Sequence, residues 1–91
     1  MISEKKLESI FSKKVKEKGA ITFKLIPSQV SGLPDRIVIT KKGKIFFVEI
    51  KKINGVLSKQ QIQTHKELRP NNVNVYTLYK QEDIDTIVTM L

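Results

Sequence analysis

Residues 32–51 run Gly32-Leu33-Pro34-Asp35-Arg36-Ile37-Val38-Ile39-Thr40-Lys41-Lys42-Gly43-Lys44-Ile45-Phe46-Phe47-Val48-Glu49-Ile50-Lys51. Two β-rich runs, residues 35–40 and 44–51, flank Lys41-Lys42-Gly43. β-Branched and aromatic side chains dominate both runs, which suits a pleated, half-buried surface. A three-residue connection with Gly43 in the left-handed region joins them as a hairpin. That register sets Ile39 opposite Ile45, Ile37 opposite Phe47 and Asp35 opposite Glu49. Directly opposed residues have Cβ atoms about 5 Å apart. Side chains at i and i+2 share a face, so Glu49 and Lys51 project together while Ile50 turns into the core.

Outward from the hairpin, the elements follow one another with short connections and no internal repeat, linker or low-complexity tract. Residues 4–18 read as a helix, with Ser3 as N-cap, Ile2 stapled onto Leu7 and Gly19 as the stop. Leu7, Ile10, Phe11 and Val15 form its apolar stripe. Residues 21–26 alternate as a strand ended by Pro27, and a polar loop, residues 28–34, leads to Asp35. After a loop containing Gly55, Ser58 caps a helix over residues 59–69, with Gln61 at the reciprocal capping-box position. Pro70-Asn71-Asn72 breaks it. Residues 73–79 are a further strand, and residues 82–91 close with a helix whose apolar face is Ile84, Ile87, Val88 and Leu91. The fold class is α/β, in the order α-β-β-β-α-β-α, with a parallel crossover from the Glu49 strand through a helix to the strand at 73–79. All 91 residues read as one domain.

The composition narrows the function. Cysteine is absent, which removes disulfide frameworks and thiolate metal sites. No apolar run reaches the ~20 residues that span a bilayer. The opening Met1-Ile2-Ser3-Glu4-Lys5-Lys6 has no signal-peptide pattern. The expectation is a soluble cytoplasmic protein with no membrane partner. Seventeen Lys and Arg against nine Asp and Glu give a net charge of +8, which favours a nucleic-acid partner. Fifteen of the seventeen are Lys, suited to sequence-independent phosphate contact more than to bidentate base reading.

The chemistry concentrates on Asp35, Glu49 and Lys51. Two facing carboxylates repel each other unless a cation sits between them. Oxygen-only ligation favours Mg²⁺, with Mn²⁺ as substitute, over zinc, and the Ile50 carbonyl at the strand edge offers a third oxygen. Such a cation activates water and neutralises charge on a phosphodiester under attack, with Lys51 alongside. On an exposed sheet face the same residues would form an ordinary salt bridge; the spacing of the trio after Pro34 favours the site.

Gly32-Leu33-Pro34-Asp35, then Phe47-Val48-Glu49-Ile50-Lys51, then Gly55-Val56-Leu57-Ser58-Lys59-Gln60-Gln61, resemble the VRR-NUC family, the virus-type replication-repair nucleases of the PD-(D/E)xK superfamily. The resemblance is collinear from about Glu4 to Ile87. It implies a restriction-endonuclease-like core. It matches Asp35 and Glu49 to the metal-binding carboxylates, Ile50 to the residue lending its carbonyl, Lys51 to the catalytic lysine and Gln61 to a glutamine near the site. It also implies a first-helix Glu that approaches the metal, matched to Glu8, with Glu4 one turn earlier as the alternative. Lys59 departs from a frequent Pro. Phage-encoded members occur as small stand-alone domains, and some act as dimeric resolvases of four-way (Holliday) junctions. The resemblance therefore implies a Mg²⁺- or Mn²⁺-dependent endonuclease on branched or duplex DNA, a homodimer, in the cytoplasm of a bacterial host. A flap or nicking nuclease, a restriction-type enzyme and a non-catalytic DNA-binding module are the alternatives. His65 reads as a packing residue, Lys24 as a phosphate contact or one surface lysine among fifteen, Arg36 as a phosphate contact or an acid's partner, and Tyr76 and Tyr79 as sheet packing.

Overall fold

The computed structural model describes residues 2–26 and 31–91. The elements are α1 (Glu4–Glu17), β1 (Ile21–Lys24), β2 (Arg36–Ile39), β3 (Ile45–Ile50), α2 (Lys59–Leu68), β4 (Asn74–Leu78) and α3 (Gln81–Val88), with a short 3₁₀ turn at Arg69–Asn71. The order is the expected one. The strand end expected at Pro27 lies outside the described residues.

The four strands form one mixed sheet in the order β1-β2-β3-β4. β1, β2 and β3 are antiparallel neighbours, and β4 lies parallel to β3. Thr40 and Lys44 exchange the last hairpin contact, and Gly43 takes φ +83° as the three-residue loop requires. Ile37 pairs with Phe47 and Ile39 with Ile45, the register read from the sequence. β1 is shorter than its sequence pattern, but the Leu25 amide still donates to the Asp35 carbonyl at 2.7 Å. The ladder thus reaches the residue that matters for the site.

α1 and α3 cover one face of the sheet. Leu7, Phe11 and Val15, one turn apart along α1, are fully buried against Val38, Phe46, Val48, Ile50 and Leu78. Ile84 and Ile87 of α3 complete this core. Tyr76 meets Phe46 edge to face, at 5.3 Å between ring centres, and so packs the sheet as expected. Ser3 caps α1 and Gly19 ends it at φ +80°.

The other face is only partly covered. α2 lies over β4 and the C-terminal end of β3, burying Val75 and Glu49. Away from α2, the pairing aligns two cross-strand rows, Ile21–Ile39–Ile45 and Phe23–Ile37–Phe47. Ile21, Phe23 and Ile45 are 52%, 56% and 49% exposed. The next row on this face begins with Leu25, Asp35 and Glu49.

Candidate active site

The hairpin delivers the two acids. Extending the β2–β3 register by one step past Arg36 and Val48 places Asp35 across from Glu49. Where the backbone ladder ends, the side chain takes over: Asp35 Oδ2 accepts from the Ile50 amide at 2.7 Å. N–H and C=O of one strand residue point to the same side, so the Ile50 carbonyl also faces the Asp35 edge. The Lys51 amide donates to the Leu78 carbonyl at 2.8 Å, which keeps the chain extended. Lys51 thereby shares the face of Glu49.

The loop before Asp35 is held from α2. Thr64 Oγ1 donates to the Ser31 carbonyl at 3.1 Å, and Pro34 is buried. Gly32 sits at φ +83°, and a Cβ there would overlap the Gln60 backbone. Only glycine allows this approach of loop to helix. The G-x-P-D motif is therefore a docking device that aims Asp35.

Gln61 serves two structures with one side chain. Its Oε1 accepts from the Ser58 amide at 2.8 Å while Ser58 Oγ accepts from the Gln61 amide, completing the capping box. Its Nε2 donates to Glu49 Oε2 at 3.1 Å. The cap fixes the rotamer that presents this donor to the site.

Glu49 is 1% exposed. Its carboxyl is pushed up to about 8, first by burial, then by the hydrogen bond and charge shared with Asp35, with Glu4 adding repulsion and Lys51 opposing. A like-charge neighbour and a dry environment both disfavour the anion. A bound divalent cation would relieve both, and two carboxylates plus a carbonyl suit a hard ion that keeps several waters. Among the described residues no three His, Asp or Glu side chains gather closely enough to ligate an ion together. Asp35 and Glu49, with the Ile50 carbonyl, are the candidate donors.

Glu8 pairs with two cations. Its Oε2 accepts from Arg36 Nη1 at 2.8 Å, and Lys24 Nζ stands 3.9 Å from its other oxygen. Glu8 is thus a salt-bridge partner of the residue after Asp35. Glu4 is the first-helix acid that acts on Glu49, and its Oε2 accepts from the Lys52 amide at 3.1 Å. Sequence reasoning also undervalued His65. It is 2% exposed, and its Nε2 lies 3.6 Å from Glu49 Oε1. Burial, then the nearby Arg69 charge, lowers its pKa, so the imidazole is neutral at neutral pH. The available signal was that Gln61, Thr64 and His65 share one face of α2 at i, i+3 and i+4.

A basic groove runs along α1. Lys5, Lys13 and Lys16 of α1 line it with Lys24 and Arg36, around a cavity of about 510 Å³.

The mixed sheet thus carries Asp35, Glu49 and Lys51 on one face of an α/β domain. The VRR-NUC domain model matches residues 1–81. The chain belongs to the VRR-NUC family. It is 30% identical over 82 residues to "Putative nuclease p44" of Acyrthosiphon pisum secondary endosymbiont phage 1, covering 90% of this chain and 88% of that protein. A solved VRR-NUC domain superposes with a TM-score of 0.88 at 24% identity over 97% of both chains, which shows the shared fold. Together these support a nuclease.

Proposed function

We propose that the chain is a Mg²⁺- or Mn²⁺-dependent endonuclease that hydrolyses phosphodiester bonds in branched DNA as a homodimer. The observation that carries this reading is buried Glu49 facing half-buried Asp35, with Lys51 on the same face. Asp35, Glu49 and the Ile50 carbonyl would hold the cation. When bound, a divalent cation supplies water activation and neutralises charge on the transferring phosphate. Lys51 is placed to orient the attacking water and to stabilise charge developing on the phosphate. Gln61 fixes the Glu49 carboxylate, and the Ile50 amide fixes that of Asp35. Both acids then enter the reaction without reorganising.

The groove lined by Lys5, Lys13, Lys16 and Lys24 supports DNA as the partner, since it offers phosphate contacts. Homodimerisation is supported by the six-residue apolar face that α2 leaves uncovered. Monomers rarely expose a contiguous apolar patch beyond a few hundred Å². The face carries no charge in its two rows and adjoins the site. A two-fold pair of copies gives two sites for two strands, which suits symmetric cleavage of a junction. No helix among the described residues is long and apolar enough to cross a membrane.

Four-way junction, flap and duplex DNA incubated with Mg²⁺, Mn²⁺ or EDTA test this reading. Metal-dependent cleavage with preference for the junction is the expected result. Preference for a flap, with a monomer by light scattering, would point to the flap nuclease. Tight binding without cleavage under either metal would point to a non-catalytic module.

A further inference from the structure

Among the described residues, Glu49 Oε1 and His65 Nε2 are the buried side-chain polar atoms that lack a hydrogen-bond partner. They lie 3.6 Å apart, on side chains 1% and 2% exposed. That separation is longer than a hydrogen bond. Leaving a buried donor and a buried acceptor both unmade is costly, and no other group satisfies either atom. The other oxygen of the same carboxyl is already held by Gln61, one turn earlier on α2. Each carboxylate oxygen has two lone pairs, so accepting one hydrogen bond leaves a lone pair on each for a cation.

We propose that His65 is a positioning residue: its Nε2–H donates to Glu49 Oε1, so that α2 grips both oxygens of the carboxylate that faces Asp35. The two orphaned atoms face each other and a small side-chain adjustment brings them within hydrogen-bond reach. The grip sets the plane in which Glu49 meets Asp35. Its value for cation binding rests on the function proposed above; the grip itself does not.

Two measurements on the full chain test it. The first uses metal-free protein labelled with ¹⁵N at histidine, in which a donor on Nε2 and a bare Nε2 are distinguishable. Long-range ¹H–¹⁵N correlation should then find the proton of His65 on Nε2. A proton on Nδ1, with Nε2 bare toward the carboxylate, overturns the proposal whether or not the protein is a nuclease. The second measurement compares His65→Phe, which fills the space without a donor, with His65→Gln, which restores one. Calorimetry should read Mg²⁺ affinity about 10–100-fold weaker in H65F. H65Q should recover most of it, and metal-free DNA binding should be equal in all three. In turnover, H65F should lower kcat and leave KM for DNA unchanged. Wild-type Mg²⁺ affinity in H65F, or equal losses in H65F and H65Q, contradicts positioning. If H65F does not fold, or if the wild type binds no Mg²⁺, the tautomer measurement decides alone.

Discussion

A carboxyl group buried beside another carboxylate keeps its proton, and this fixes how the metal-free protein responds to pH. Glu49 rises from an ordinary value of 4.5 to about 8. A pKa raised on folding contributes stability that is fully present below the unfolded value and is lost as pH rises through the folded one. His65 has the opposite sign: its lowered pKa costs stability as pH falls below 6.5. Above pH 6.5 the His65 effect fades, and of the two the Glu49 effect comes to dominate. Urea titrations in EDTA should therefore show stability falling from about pH 6.5 to 8. Glu49→Gln should flatten that fall, and an unchanged slope in the variant would assign it to other groups. Of the residues at the site, Asp35, Glu49, Lys51 and Gln61 were legible because each sits in a motif with a fixed place on a strand or cap. Glu8 was not. A helical wheel puts Glu4 and Glu8 on one side of α1 but says nothing of what lies opposite, and Arg36 captured Glu8.

The elements supply rigidity through short, local devices. Ser58 Oγ and the Gln61 side chain close the start of α2, and Gln61 then reaches Glu49. Ser58→Ala should cost about 1 kcal/mol of stability. It should also lower kcat, because the freed glutamine no longer has one rotamer; denaturant melts and single-turnover kinetics separate the two effects. Gly32→Ala should act more strongly on turnover. It combines a left-handed backbone with overlap on the Gln60 backbone, and so displaces the loop that aims Asp35. Wild-type activity in G32A would remove the docking role assigned to that loop. The hairpin register was legible because alternation and one glycine determine it. The lower face of α2 was not, because its buried residues are Thr64 and His65 rather than apolar ones, while Ile62 is exposed. A hydrophobic pattern cannot orient a helix whose inward face is polar.

For the whole molecule, the sheet divides the labour. One face makes the core with α1 and α3, and the other carries the acids, α2 and an uncovered apolar field. Phe23→Glu should convert a dimer into a monomer by light scattering at micromolar concentration. The variant should nick a junction instead of making paired cuts. A monomeric wild type would remove the two-fold model. Lys13→Glu with Lys16→Glu should reduce the slope of log affinity against log salt by about one to two units, at about 0.9 per lost phosphate contact. Lys42→Glu with Lys44→Glu, at the hairpin end remote from the acids, should change it less; equal slopes would mean that the groove carries no DNA.

The most direct measurement is cleavage of a four-way junction by the wild type and by Asp35→Ala, Glu49→Ala and Lys51→Ala, each with Mg²⁺ and with EDTA. Cutting by the wild type should require the metal, and each variant should lose at least about 100-fold in rate while still binding the junction. Strand scission that persists in EDTA, or full rate in any one of the three variants, would contradict a reaction run by paired acids and a lysine on this sheet face.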